Sequence, residues 1–287
     1  MAQSFDICEH MILAQALADN FSASADMALS LSNSLRKYKA FDGTDVMSHY
    51  LYLYHLSQSN IGKTTKLVYK ELKATITKTP DKFTREQFKF PIEKILAASR
   101  SAHDQLNGLS GGCNPAVRSF PLACCPWIYD NNLFQIACDE ARLTHFSSIS
   151  GQVSGLTNLI CRRLIRGDGW NDAIKTAFST APDLLHEIQE IQHRYENDTI
   201  LNSCVHVAYA PNTLHTALYC VTKADSYQSA LTYARELEAE FCPILVGILA
   251  GARWGVPPSM LDKFPKDKLN EIRKVAKRFA DEWKRRL

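Results

Sequence analysis

A chain of 287 residues is long enough for one large domain or two small ones, so length leaves the domain count open. Hydrophobic residues make up 46% and charged residues 22%, which excludes a disordered or repetitive chain and requires a sizeable core. The formal net charge of +3 is too small for a field that steers nucleic acid or an anionic membrane, so neither is expected as a partner.

Nine cysteines are scattered through apolar stretches without the paired spacings of a disulfide or zinc framework. Reduced thiols in a cytoplasmic setting are the expectation. The opening MAQSFDICEH lacks the basic and long apolar regions of a secretory signal. The longest apolar run, Phe241–Ala252, is shorter than the ~20 residues a membrane span needs and carries Pro243 and two glycines, so it reads as a buried helix.

In chain order, Met27, Leu31 and Leu35 mark the buried face of a first amphipathic helix. Turn formers cluster at Asp42–Thr44, Thr79–Asp81, Gly111–Pro115, Gly167–Gly169, Thr180–Asp183, Ala210–Asn212 and Gly255–Pro258. Between these breaks Ile149, Val153, Leu156, Ile160 and Leu164 share one helical face. Leu269, Ile272, Val275, Phe279 and Trp283 share another, opposite a face rich in lysine and arginine. Only Cys204–Ala210 offers a short strand, and no repeat or low-complexity segment occurs. The expected fold is therefore all-α, with residues 1–287 forming one compact multi-helix domain.

Three stretches depart from this helical pattern. The segment GLSGGCNPAVRSFPL (Gly108–Leu122) is rich in glycine and proline, and Ser110, Gly111, Gly112, Cys113 and Asn114 offer backbone N–H groups that suit phosphate oxygens. A plainer reading makes it a tight turn whose glycines supply positive φ. In LTHFSSISG (Leu143–Gly151), His145 sits where one helix ends and serines open the next, and such a histidine commonly serves only to meet the last carbonyls. In ELEAEFCPILVGILAGARWG (Glu236–Gly255), Glu238 and Glu240 precede an apolar helix, either as oxygen ligands for a hard cation or as a solvated acidic surface. A thiol–imidazole pair of Cys113 with His145 lacks a third, orienting group. The GKTT at Gly62–Thr65 is not a nucleotide phosphate loop, because the motif's first glycine falls at Ser57.

Taken together and in this order, these stretches resemble the ADP-ribosylglycohydrolase family, which includes the jellyfish lens crystallins. That family carries S-x-G-N-G-x-A-M-R-x-x-P-L, then T-H, then D-x-D-T-T leading into a small-residue helix. The counterparts are Ser110–Leu122, Thr144-His145 and Glu238–Gly255. FSASADMALSLSNSL looks like the family's T-D-D-T-x-M-A-L helix and NIGKTTK like its D-x-G-x-T-T turn, so the resemblance runs from about Phe21 to Leu261.

The resemblance implies a helical hydrolase that cleaves a glycosidic bond to ADP-ribose or a related nucleotide sugar, using two magnesium ions. Ser110, Gly111, Gly112, Cys113, Asn114 and His145 then hold substrate. Glu238 and Glu240 hold metal and carry catalysis. Departures are concentrated at the metals. Ser22, Ala23, Ser24 and Ala25 replace T-D-D-T, with Asp26 one residue beyond as the remaining acidic metal candidate, and the family's N-terminal glutamate has no counterpart. Glu238 and Glu240 replace aspartates and reach one methylene further, which strains the octahedral geometry magnesium demands. Fewer than two Mg2+ ions are expected. The alternative is a non-catalytic ADP-ribose-binding or crystallin-like structural protein on the same scaffold.

Overall fold

The computed structural model describes residues 3–20, 22–57, 61–76, 83–197, 208–237, 242–262 and 264–285. Within them the chain forms fifteen α-helices and two short 3-10 turns around one continuous hydrophobic core. At its centre α1 (Gln3–Ala18), α8 (Ser148–Ile165) and α13 (Cys242–Trp254) pack together. The apolar run predicted to be a buried helix is α13, buried from Ile244 to Ala252. Gly247 and Gly251 set its distance from α1: a Cβ at either would come within 2.6 and 2.4 Å of Ala18 and Ala14. Backbones packed this closely leave no room for a methyl group. No described helix is long and apolar enough to cross a membrane.

The predicted periodic faces are the buried ones. Met27, Leu31 and Leu35 lie inside on α2 (Ala23–Tyr38), and Ile272, Val275, Phe279 and Trp283 lie inside on α15 (Lys266–Lys284). Buried along nearly its whole length, α8 uses its few polar side chains as ties. Arg162 donates to the carbonyl oxygens of Leu122, Ala123, Cys125 and Ile128, and Asn158 Oδ1 accepts from Ala123 N. A fully donating guanidinium is a suitable partner for a non-helical segment whose carbonyls would otherwise be buried unsatisfied. These bonds fix the chain that follows α6 (Asn114–Arg118), and through it the glycine-rich loop. Of the short strand expected at Cys204–Ala210, Cys204–Val207 lie outside the described residues, and the described remainder makes one antiparallel bridge, between Tyr209 and Gly112. The eight described cysteines are all unbridged, and seven of these are buried, Cys138 being the partly exposed one.

Candidate functional site

The loop begins where α5 (Ile92–Gln105) ends. Asn107 (φ 51°) and Gly108 (φ 83°) reverse the chain in the left-handed region, and Gly108 N–H donates to the His103 carbonyl in a helix-closing bond. Ser110 is then pinned on two sides: its hydroxyl meets His103 Nδ1 at 2.6 Å, and its carbonyl accepts from Ser150 Oγ at 3.0 Å. Ser150 Oγ also lies 2.8 Å from the Gly112 carbonyl. The bridge to Tyr209 adds Cys113 N–H to the Ala208 carbonyl and Ala210 N–H to the Gly111 carbonyl, both at 2.9 Å.

Glycine at positions 111 and 112 serves close approach, not positive φ. A Cβ on Gly111 would sit 3.1 Å from the Tyr209 ring, and one on Gly112 would sit 3.1 Å from His145 Nε2. Ser110 and Cys113 spend their N–H groups within the chain, whereas those of Gly111 and Gly112 donate to no described residue. Two half-buried amides side by side are thus left free to donate, as an anion-binding loop requires.

Behind the loop lies a buried polar network. Arg118 and Glu140 of α7 (Asp130–Arg142) pair at 2.8 Å with both side chains wholly inaccessible. Arg118 also donates to Asn114 Oδ1 at 2.8 Å and to Thr144 Oγ1 at 2.9 Å, and the Tyr50 hydroxyl donates to Glu140 at 2.8 Å. Thr144 Oγ1 lies 2.9 Å from His145 Nδ1. That oxygen accepts from Arg118 and keeps its own proton free to donate to Nδ1, an arrangement that places the ring's proton on Nε2. Burial, reinforced by the Arg118 charge, pushes the His145 pKa down to about 3, so the ring is neutral. In that tautomer Nε2–H is a donor beside Gly112 with no protein partner among the described residues. His145 itself lies in the turn between α7 and α8, not on the last turn of a helix.

Ser110–Asn114 and His145 are thus brought together, but each contributes differently. Cys113 is fully buried and burial pushes its thiol up to about 12 against an opposing pull from Thr213, which sets aside a nucleophilic thiol. Asn114 orients Arg118 with its side chain. Glu238 and Glu240, the expected metal and catalytic carboxylates, lie outside the described residues.

Asp26 sits apart from the loop. It lines a cavity with Tyr50, Tyr54 and Tyr69, and the route from there to the loop runs through Tyr50 and Glu140. Burial raises its carboxyl pKa, Lys268 opposes the rise and Glu271 and Asp19 add to it.

The start of α2, where the family's first pair of aspartates would stand, is closed by a residue the sequence reading did not single out. Asp19 accepts from Ser22 Oγ at 2.5 Å, Ser24 Oγ at 2.8 Å and Ala25 N–H at 2.9 Å. Both of its oxygens are committed to capping the helix. With Ala23 and Ser24 at the former aspartate positions, the described residues do not fit a two-magnesium centre. No described group of three or more His, Cys, Asp or Glu residues is arranged to hold a metal ion.

No curated protein matches the chain in sequence. A solved structure described as an ADP-ribosylglycohydrolase-related protein complex superposes with a TM-score of 0.71 over 98% of this chain and 100% of its own, at 18% identity, a likeness of fold. The sequence model of ADP-ribosylglycohydrolase matches residues 5–286. With nearly its full length matched, and with the glycine loop, Arg118 and His145 assembled in space, the chain belongs to the ADP-ribosylglycohydrolase family.

Proposed function

We propose that this protein recognises an ADP-ribosyl group through the N–H groups of Gly111 and Gly112 and the Nε2–H of His145, and no longer performs the two-magnesium hydrolysis its family motifs imply. The observation that carries this reading is Asp19, whose carboxylate fills the start of α2 with hydrogen bonds to Ser22, Ser24 and Ala25. A neutral donor set suits binding. Amide and imidazole N–H groups match phosphate and ribose oxygens, and the buried Arg118–Glu140 pair holds them in place without supplying net charge. Asn114 and Ser110 act as positioning residues, and Cys113 packs beneath the loop.

A second reading, hydrolysis of a glycosidic bond to ADP-ribose, is favoured by the acidic residues retained at Glu238 and Glu240. The two readings separate in calorimetric titration of metal-stripped protein with ADP-ribose, followed by Mg2+. Saturable ADP-ribose binding that Mg2+ leaves unchanged supports recognition. Binding that requires Mg2+, together with release of ADP-ribose from a modified protein, supports hydrolysis. Silence in both titrations contradicts both readings and leaves a structural role of the crystallin kind.

A further inference from the structure

Beside the glycine loop stands a charged aromatic cluster that recognition of ADP-ribose does not use. Phe146, half-buried in the turn after His145, has the guanidinium carbon of Arg100 4.7 Å and that of Arg142 5.9 Å from its ring centre. The His103 ring lies 5.9 Å from the same centre, and its Nδ1 meets the Ser110 hydroxyl at 2.6 Å. His103 therefore joins the cluster to the loop. Arg100 is exposed on α5 and Arg142 is the exposed last residue of α7, and neither side chain enters an ion pair or hydrogen bond among the described residues. The carboxylates near them in sequence are not their partners: Glu140 pairs with Arg118, Asp139 accepts from Gln135, and Asp104 enters no ion pair among the described residues. Just beyond the left-handed turn at Asn107 and Gly108, Leu109 is 81% exposed, the most exposed large apolar side chain among the described residues.

Two like charges gathered over one ring repel each other, and a guanidinium without an acceptor is a ready partner for a carboxylate. A small free anion gains little at an exposed guanidinium in water. A chain bearing several carboxylates gains more, because it can pair both arginines and cover Leu109 at once. We propose that the ADP-ribosyl group recognised at the loop is carried on an acidic protein segment, whose aspartate or glutamate side chains pair with Arg100 and Arg142 while the segment packs on Leu109. This assignment rests on ADP-ribose recognition at Gly111 and Gly112 and adds the chemistry of the carrier.

The metal-stripped, full-length protein is titrated by calorimetry with free ADP-ribose and with three ADP-ribosylated peptides of one length and linkage, the modified residue flanked by glutamates, by glutamines or by lysines. The glutamate peptide is expected to bind about fivefold or more tighter than the glutamine peptide at low ionic strength, and the lysine peptide weakest. Exposed charges are screened by salt, so the preference should shrink as ionic strength rises. Arg100→Glu combined with Arg142→Glu should reverse the order of the peptides and leave free ADP-ribose unchanged. Where that reversal impairs folding, Arg100→Gln combined with Arg142→Gln should abolish the preference instead. Leu109→Ser should weaken the glutamate and glutamine peptides by a similar factor. Equal affinity for the glutamate and glutamine peptides at low salt overturns the proposal, as does a glutamate preference that survives both pairs of substitutions. Free ADP-ribose separates this from the reading beneath it. Its failure to bind contradicts recognition at the loop and the proposal with it, whereas its binding without discrimination among the peptides overturns the acidic carrier alone.

Discussion

Arg118 and Glu140, both wholly buried, pair at 2.8 Å, and Asn114, Thr144 and, through Thr144, His145 are tied to the guanidinium of that pair. A buried pair of this kind adds little net stability relative to apolar residues, but removing one member leaves the other charged and unpaired. Its value here is positional: one guanidinium holds Asn114 and Thr144, and Thr144 holds the His145 ring through Nδ1.

Glu140→Gln is expected to destabilise the fold by about 3 kcal/mol or more, because Arg118 then carries a buried charge without a counterion. Chemical denaturation of the two proteins measures the difference. Glu140→Ala adds a cavity and the loss of the Tyr50 hydroxyl's acceptor, so its cost should be larger still.

Protonation of His145 gives the stability a defined pH dependence. Its folded pKa of about 3 lies below the unfolded value of about 6.5, so the unfolded chain takes up the proton first as pH falls. The stability linked to this group is fully present above pH ~6.5 and is lost between there and about 3, by at most ~1.4 kcal/mol per pH unit. His145→Gln should remove that component, so the difference between wild-type and variant denaturation midpoints should shrink steadily as pH is lowered from 7 to 4.

Gly112→Ala places a methyl group 3.1 Å from His145 Nε2 and 3.8 Å from the Ala208 carbonyl. The expected cost is about 1–3 kcal/mol of overpacking, with ADP-ribose affinity reduced by an order of magnitude or more because the methyl covers the imidazole donor. Thermal melting and calorimetry on the same sample separate the two effects.

Asp19→Ala removes the acceptor of two hydroxyls and one helix N–H, and should lower stability by about 1–2 kcal/mol. ADP-ribose affinity should be unchanged, since Asp19 caps α2 and takes no part in the loop.

Much of this arrangement is legible in the sequence. The order of the glycine loop, the Thr-His pair and the small-residue helix identifies the family, and the apolar periodicity of α2, α8 and α15 marks the faces that the structure buries. Other parts are not legible, for physical reasons. Glu140 stands in the charged run Asp139-Glu140-Ala141-Arg142, which reads as solvated helix surface; its burial depends on Arg118, 22 residues earlier. The loop glycines suggest a turn, yet positions 111 and 112 are set by the nearness of Tyr209 and His145, contacts that no local pattern encodes. Asp26 adjoins the aspartate positions in sequence, but one residue on a helix rotates the side chain by about 100°. That step carries the carboxylate into the tyrosine cavity instead.

Recognition at the loop depends on the two unspent amides of Gly111 and Gly112, and amide chemical shifts report on them directly. On adding ADP-ribose to metal-stripped, isotope-labelled protein, the Gly111 and Gly112 amide signals should move downfield along one saturable curve. Their failure to move without Mg2+, while signals elsewhere respond, would contradict recognition of the ligand at this loop.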